Sequence, residues 1–350
     1  MEGTYGIAVM STEDPQKIVV ARRSAPLLLG VSENGEGAVF VASDVAAILE
    51  HTRNVVYLED NELAILRPGG CELLDLSTFD SPEGLRPIRK EISHVSWDLE
   101  TIERAGYAHF MLKEIFEQPG TVRDACRGRL MEEEGTARLG GLLPLEADLD
   151  RVEQLILTAC GTSWHAALVG EYIIEELARL PVEVEYASEF RYRNPVIRPH
   201  TMVAGISQSG ETADTLAAIR EARERGAKTM GIVNVVGSSV ARETDGGVYT
   251  HAGPEIGVAS TKAFVAQLTV LSLFGLYLGR RRELSILQGR EIVRALRELP
   301  EKIEEVLETE GTIRELAEEF RAASNFLYLG RGPNFPIALE GALKLKEISY

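Results

Sequence analysis

The chain has 350 residues, enough for two or three domains of ordinary size. Apolar residues make up 45% and charged residues 26%, a globular mixture that excludes wholesale disorder. The formal net charge of −17 argues against nucleic acid as a partner, because binding to nucleic acid depends on clustered cations. Any anionic ligand must therefore be held by a local group of hydrogen-bond donors, since the net charge of the chain repels it.

Residues 1–90 are predicted to form a β-rich layer of antiparallel hairpins, because short apolar runs alternate there with turn signals. The predicted strands are Tyr5–Met10, Ile18–Arg22, Leu27–Val31, Ala38–Ala42, Val55–Leu58, Leu63–Leu66 and Glu72–Leu76. A single short helix is predicted to begin at Asp44, a good N-cap residue before Val45–Leu49.

A connector is predicted from about residue 81 to residue 145. Pro82, Gly84 and Pro87 interrupt regular structure, and His109–Gln118 then has a helical pattern. Pro119-Gly120 is predicted to end that helix.

Beyond about residue 150, strand–turn–helix units follow one another, a pattern typical of a doubly wound parallel sheet. The predicted strands are Gln154–Ala159, Met202–Ile206 and Thr229–Val233, with turns at Cys160–Ser163, Ser207–Gly210 and Asn234–Ser239, and helices through Leu177 and Arg225. A later unit is interpreted as the start of a second α/β domain, with a strand at Phe326–Leu329, a turn at Gly330–Pro333 and a helix at Ile337–Ile348.

The segment Ala263–Gly279 carries no charge and is about 17 residues long, near the lower limit for a membrane-spanning helix. Gln267, Thr269 and Ser272 interrupt it. A buried helix of a globular domain is therefore predicted, and no membrane partner is expected.

The most informative segment is SQSGET, Ser207–Thr212, at a predicted change from strand to helix, where open α/β sheets bind ligands. Hydroxyls at Ser207, Ser209 and Thr212, backbone N–H groups and the positive end of the helix could surround an anion without any lysine. The alternative is an ordinary helix N-cap. Three hydroxyls within six residues favour the anion site, and Ser163 could add a donor from the neighbouring turn.

The last predicted helix carries a narrow charged stripe. At about 100° per residue, Glu340, Lys344 and Glu347 fall within about 60° of one another, and most of the remaining circumference is apolar. The stripe could be a solvated Glu–Lys pair. Its narrowness on an otherwise apolar helix instead predicts titratable groups that line a cavity, where a carboxylate could move a proton beside a carbonyl.

The segment Glu255–Lys262, which leads into the apolar helix, allows two interpretations. Ser260 or Thr261 could cap the helix, or the backbone of Gly257–Ser260 could lie against a ligand. The six histidines (at 51, 94, 109, 165, 200 and 251) show no metal-ligand spacing, and most are predicted to be surface or core residues. No nucleotide-binding motif follows a strand, so no cofactor or metal is predicted.

The cysteines Cys71, Cys126 and Cys160 are too few and too scattered for a disulfide framework. The first ten residues have no cationic segment and no long apolar core, so no signal peptide is expected. Both observations favour the cytoplasm.

Together these motifs closely resemble the glutamine–fructose-6-phosphate aminotransferase (isomerizing) family, also called glucosamine-6-phosphate synthases. The matching segments are VASD at 41–44, KEIFEQP at 113–119, CGTS at 160–163, SQSGETADT at 207–215, EIGVASTKAF at 255–264 and ALEGALKLKEISY at 338–350. They cover essentially the whole chain in family order.

The resemblance implies an N-terminal-nucleophile glutaminase domain followed by two sugar-isomerase (SIS) domains. The family makes glucosamine 6-phosphate and glutamate from fructose 6-phosphate and glutamine, and a homodimer is expected at full length. The implied domains are part of the glutaminase at 1–90, a connector at 91–145, the first SIS domain at 146–288, and connecting helices with the start of a second SIS domain at 289–350.

The resemblance also implies site residues. Ser163, Ser207, Gln208, Ser209 and Thr212 would hold the sugar phosphate, and Val258 and Ser260 would lie near the sugar hydroxyls. Glu347 would move the proton between C1 and C2, and Lys344 would assist. No glutamine-contacting residue is assigned, because the family's contacts lie upstream of VASD.

The departures from the family pattern concern both ends of the sequence. The family's catalytic cysteine is the first residue of the mature enzyme, whereas position 2 here is Glu. The ring-opening histidine and the Schiff-base lysine would follow Tyr350. We therefore expect an internal fragment, truncated at both ends, that releases no ammonia from glutamine by itself.

Two other functional classes are open. A non-catalytic SIS-type regulator would keep the phosphosugar loop but would not need Glu347. A plain aldose–ketose isomerase would have SIS domains and no amide chemistry. The β-rich segment 1–80 with its VASD motif argues against both.

Overall fold

The computed structural model describes residues 5–23, 25–32, 37–43, 45–79, 81, 84–95 and 104–349. The chain divides into two compact units, Met1–Glu103 and Arg104–Tyr350.

The first unit contains two antiparallel sheets. Its strands are β1 (Tyr5–Ser11), β2 (Asp14–Arg23), β3 (Leu28–Val31), β4 (Val39–Ala42), β5 (Asn54–Tyr57), β6 (Glu62–Arg67), β7 (Gly70–Asp75), β8 (Arg86–Pro87) and β9 (Ser93–His94). One sheet has the order β1-β2-β6-β7-β8 and the other the order β4-β3-β5-β9. Short 3-10 helices lie at Val45–Ala47 and Leu76–Thr78.

Burial alternates along strand β6. Glu62, Ala64 and Leu66 are buried, whereas Leu63 and Ile65 are only half-buried, so one face of the sheet packs more closely than the other. Val20 and Ala64 of one sheet share a core with Leu29 and Val56 of the other. The predicted antiparallel layer is confirmed. The helix predicted over Val45–Leu49 is only a short 3-10 turn, and its proposed cap, Asp44, lies outside the described residues.

The second unit begins with a helical segment. Its elements are α1 (Phe110–Phe116), α2 (Gln118–Cys126), the hairpin β10 (Leu130–Met131) and β11 (Thr136–Ala137), a 3-10 helix at Gly140–Leu145, and α3 (Glu146–Leu149). The helix predicted over His109–Gln118 ends at Phe116, but Pro119-Gly120 do not interrupt helical structure as predicted, because both lie in the first turn of α2. Proline is tolerated there, since a first-turn N–H has no intrahelical acceptor.

A five-stranded parallel sheet follows in the described part of the chain. Its elements are β12 (Gln154–Ala159), α4 (Gly161–Ala178), β13 (Val182–Tyr186), α5 (Ala187–Tyr192), β14 (Thr201–Ser207), α6 (Ala213–Glu224), β15 (Lys228–Val233), α7 (Ser239–Glu243) and β16 (Gly246–Tyr249). The strand order is β13-β12-β14-β15-β16, and every pair is parallel.

Helices cover both faces of this sheet. In β12, Leu155 and Leu157 belong to the larger core together with α8 (Lys262–Arg280), whereas Ile156 packs with Phe190 of α5 and residues of α6. The predicted doubly wound sheet is therefore confirmed. Two edge strands, β13 and β16, were not predicted, since each is short and β13 alternates Val with Glu.

Helix α8 is the apolar segment considered above as a membrane span. Its length and composition would allow it to cross a membrane, but most of it is buried inside the second unit, where it packs against α4. The chain continues through α9 (Ile286–Leu307), α10 (Glu310–Phe320) and α11 (Asn334–Ser349).

The strand predicted at Phe326–Leu329 is not formed. These residues have no regular secondary structure, and Leu327 and Leu329 are almost fully exposed. A strand needs a neighbour to bond its backbone groups, and none of the described strands pairs with this segment.

Candidate functional site

The candidate site lies at the carboxyl ends of strands β12 and β14 in the parallel sheet. In the ladder between these strands, Thr158 is opposite Gly205, so Cys160 and Ser207, each two residues further along the chain, lie at the same end of the sheet. The N-terminus of α4 follows Cys160 and that of α6 follows the SQSGET loop. The segment Cys160–Ser163, predicted as a turn, is the N-cap and first turn of α4.

The SQSGET loop brings together two of the three hydroxyls that the sequence singled out, those of Ser207 and Thr212, whereas Ser209 Oγ accepts the Glu211 N–H at 3.1 Å. Ser207 Oγ lies 2.9 Å from Thr212 Oγ1 and also accepts the Gly210 N–H at 2.9 Å. Thr212 is the N-cap residue of α6, yet its side chain makes no capping hydrogen bond. The ordinary N-cap alternative therefore does not describe this loop, and the first N–H groups of α6 keep their capacity to bind an anion.

Gly210 and Glu211 explain how an acidic loop could admit an anion. Gly210 has φ +67°, and a Cβ there would lie 2.0 Å from Ser238 Oγ, so only glycine fits. The Glu211 carboxylate accepts hydrogen bonds from Ser239 N and Ser239 Oγ, both at 2.7 Å. Its charge is thus paired with the N-terminus of α7.

Two further predicted phosphate contacts differ in their surroundings. Ser163 is buried in the first turn of α4, and its Oγ accepts a hydrogen bond from Gln267 Nε2 of α8 at 2.9 Å. The Ser163 hydroxyl proton thus stays available for another acceptor. Gln208 is half-buried, and its backbone carbonyl accepts the backbone N–H of Asn234 at 3.2 Å.

The charged stripe of α11 contacts α4. Glu340, only 5% exposed, accepts a hydrogen bond from Thr162 Oγ1 at 2.9 Å, and its other oxygen lies 2.7 Å from His165 Nδ1. Since a carboxylate only accepts, His165 is the donor. Lys344 Nζ donates to Thr162 Oγ1 at 2.9 Å and to Glu347 Oε2 at 2.7 Å.

The sequence prediction for the rest of α11 is wrong. The helix was expected to be buried outside its charged stripe, but the stripe itself faces α4, and Ile337 and Ile348 are exposed. Much of the apolar face is exposed or only half-buried, whereas Glu340 obtains two polar partners from α4, Thr162 and His165, and a third, Lys344, from its own helix.

The segment Glu255–Lys262 is held by carboxylates. Glu255 accepts hydrogen bonds from Ser260 Oγ at 2.7 Å, Thr261 N at 2.7 Å and Ala263 N at 3.1 Å. Glu255 therefore caps α8 through its carboxylate. Thr261 is the N-cap residue, one of the two positions considered for a cap, but its side chain makes no capping bond. Val258 at the tip is 90% exposed.

Sequence reasoning missed several residues that build this site. Glu340 was placed on the stripe without a role, and His165 was treated as an ordinary core or surface histidine. Gln267 was noted only as an interruption of the apolar helix. A polar residue inside an apolar run was the available signal for Gln267, because a buried amide needs a partner.

Comparisons with known proteins identify the family of the chain. The SIS domain family matches residues 148–277. Glutamine–fructose-6-phosphate aminotransferase [isomerizing] of Chlorobaculum tepidum is 53% identical over 350 residues, the whole of this chain and 55% of that protein. The same enzyme of Bacteroides thetaiotaomicron is 49% identical over 99% of this chain and 55% of its own length. The chain thus spans about half the length of these curated relatives.

A solved structure extends the agreement to three dimensions. The C-terminal domain of glucosamine-fructose-6-phosphate aminotransferase from Francisella tularensis superposes with a TM-score of 0.68 at 40% identity, over 71% of this chain and 69% of that one. With antiparallel sheets followed by a parallel-sheet SIS domain, and with these relatives, the chain belongs to the glutamine–fructose-6-phosphate aminotransferase (isomerizing) family.

Proposed function

We propose that this chain carries the sugar-phosphate site of an enzyme that converts fructose 6-phosphate and glutamine into glucosamine 6-phosphate and glutamate. The observation that carries the proposal is the uncapped N-terminus of α6 beside the paired Ser207 and Thr212 hydroxyls. Neutral donors and a helix end suit a phosphate in a chain of net charge −17.

The phosphate is held by hydroxyl and backbone donors at the carboxyl ends of β12 and β14. The residues assigned to it are Ser163, Ser207, Gln208, Ser209 and Thr212. Ser163 has its acceptor capacity partly occupied by Gln267, so it acts as a donor toward the phosphate. Ser260 already donates its proton to Glu255, so toward a sugar hydroxyl it is an acceptor, with Val258 beside it.

Proton transfer is assigned to Glu347. Its carboxylate takes the proton from C1 of the aminated ketose and returns it to C2, which turns a ketose skeleton into an aldose skeleton. Lys344 holds the carboxylate at 2.7 Å and is itself fixed by Thr162, in the same turn as Ser163. This link between the stripe and the predicted phosphate site favours an enzyme over a regulator that only binds.

The finer domain assignments are part of the same proposal. The first unit corresponds to part of a glutaminase domain of the N-terminal-nucleophile type, and Phe326–Ser349 corresponds to the start of a second SIS domain. The identity to full-length aminotransferases over the whole chain supports both. A homodimer and a cytoplasmic location remain predictions.

The test uses the full natural polypeptide that contains these 350 residues. Incubation with fructose 6-phosphate and glutamine should yield glucosamine 6-phosphate, and calorimetry should detect binding of fructose 6-phosphate but not of fructose at equal concentration. Tight binding of fructose 6-phosphate without any amino sugar product would favour the regulator instead.

A further inference from the structure

The segment KEIFEQP at 113–119 matches the family but received no role from the sequence. It forms the end of α1 and the start of α2, and Lys113 and Glu114 are both buried. Two buried charged side chains in a connector helix are costly unless they are paired. Their partners therefore show what this segment holds in place.

Glu114 holds the backbone of a distant loop. Its Oε1 accepts the N–H groups of Ile256 at 2.6 Å and Gly257 at 3.0 Å, and Oε2 lies 3.2 Å from the same Gly257 nitrogen. Glu114 as a whole residue is 2% exposed. Backbone donors thus satisfy a buried charge and fix the orientation of two successive peptide units.

A second carboxylate holds the other end of this loop. Lys262, itself buried, donates from Nζ to Glu117 Oε2 at 2.6 Å, and Lys113 Nζ lies 3.3 Å from Glu117 Oε1. Glu117 and Glu114 are one helical turn apart. The segment 256–262 is therefore tied at both ends to the same short stretch of connector.

The close approach of Glu114 requires a glycine. A Cβ on Gly257 would lie 2.5 Å from Glu114 Oε2 and 3.3 Å from the Met111 Cα. Beyond this fixed point the loop turns outward, so that Val258 is exposed and Ser260 is oriented by Glu255.

We propose that Glu114 is a positioning residue for recognition of the sugar: by holding Ile256 and Gly257, it sets where Val258 and Ser260 meet the sugar hydroxyls. The inference rests on the proposed function, which assigns this loop to the sugar and the SQSGET loop to the phosphate. The two parts of the ligand are thus recognised by separately supported loops, and Glu114 acts on only one of them.

The test compares two probes, fructose 6-phosphate and inorganic phosphate, in the full natural polypeptide. Glu114→Gln keeps the shape but replaces one acceptor oxygen with an NH₂ group that faces the Gly257 N–H. It should raise the KM and the Kd for fructose 6-phosphate about tenfold, the result of losing part of a charge-assisted contact, with kcat within about twofold. The Kd for inorganic phosphate should stay within about twofold of wild type.

Two further variants guard against a general loss of structure. Gly257→Ala leaves every charge in place but displaces the carboxylate, and it should show the same selective loss. Glu134→Gln, an exposed connector glutamate, should bind both probes as wild type does. Unchanged binding of fructose 6-phosphate in Glu114→Gln and Gly257→Ala, or an equal loss for both probes, would overturn the inference. If the wild-type protein itself binds no fructose 6-phosphate, the proposed function fails instead.

Discussion

Lys344 Nζ donates a hydrogen bond to Thr162 Oγ1 at 2.9 Å, across 182 residues of sequence. The Thr162 hydroxyl in turn donates a hydrogen bond to Glu340, and Lys344 also donates one to Glu347. A single hydroxyl therefore links the proposed base to the first turn of α4, which also carries Ser163. In the proposed site, the placement of Glu347 relative to the phosphate would depend on this contact.

Removing the loop hydroxyls should weaken phosphate binding. In Ser209→Ala with Thr212→Val, two donors are lost, and each lost donor costs about 1–3 kcal/mol. Calorimetry with fructose 6-phosphate should therefore show a Kd raised by at least about 30-fold, about 2 kcal/mol. Ser272→Ala is the matched control, since its hydroxyl bonds only the Leu268 carbonyl of its own helix. Equal affinity for the double variant and the control would remove the phosphate assignment.

Glu347→Gln should separate two reactions of the full natural polypeptide. The amide cannot accept a proton from carbon, so formation of glucosamine 6-phosphate should fall by at least about 100-fold, as expected for loss of a general base. Glutamine hydrolysis should continue. Lys346→Gln, on the exposed side of the same helix, should leave both rates near wild type. Survival of sugar turnover in Glu347→Gln would show that another group moves the proton.

Glu340→Ala should destabilise the second unit. The substitution leaves the buried His165 Nδ1 without its acceptor and removes one partner from Thr162 and Lys344. Leaving a buried hydrogen-bond donor without its acceptor costs about 1–3 kcal/mol of unfolding free energy. Urea denaturation followed by circular dichroism measures the change, with exposed Glu319→Ala expected within about 0.5 kcal/mol of wild type. Similar midpoints for both variants would mean that the buried network adds no net stability.

Much of the parallel sheet could be predicted because its signals are local. Strand β14 is buried along its whole length, so its sequence is a continuous apolar run that ends in polar turn residues. The SQSGET hydroxyls stand out for the same reason. By contrast, the exposed apolar face of α11 was unexpected, since a helix sequence does not show which face packs against a neighbour.

The contacts that orient the site could not be predicted, because they join distant parts of the chain. Glu114 meets Gly257 143 residues away, and His165 meets Glu340 175 residues away. Neither contact leaves a periodic pattern at either end. Glu211 is a similar case, since its spacing alone could not reveal that its carboxylate is paired with Ser239.

The ionisation of Glu114 should make the second unit less stable as pH rises, whereas a carboxylate in a surface ion pair makes a protein more stable as pH rises. Burial raises the pKa of Glu114 above its ordinary value of 4.5, although the N–H groups of Gly257 and Ile256 oppose the shift. Between 4.5 and the raised pKa, the folded state binds more protons than the unfolded state, so the free energy of unfolding falls as pH rises. The free energy of unfolding of the wild-type protein minus that of Glu114→Gln should therefore decrease as pH rises above 4.5.

Glu132→Gln is the matched control for this pH series. Hydrogen bonds from Arg294 and Arg297 lower the pKa of Glu132, so its contribution is present above 4.5 and is lost as the pH falls below that value. The corresponding difference for Glu132→Gln should therefore increase with pH up to about 4.5 and then level off. Urea unfolding at several pH values from 3 to 7 measures both differences. If the Glu114 difference is constant with pH or increases, burial does not dominate the ionisation of this carboxyl group. The N–H groups of Gly257 and Ile256 would then fully compensate the cost of burying the carboxylate.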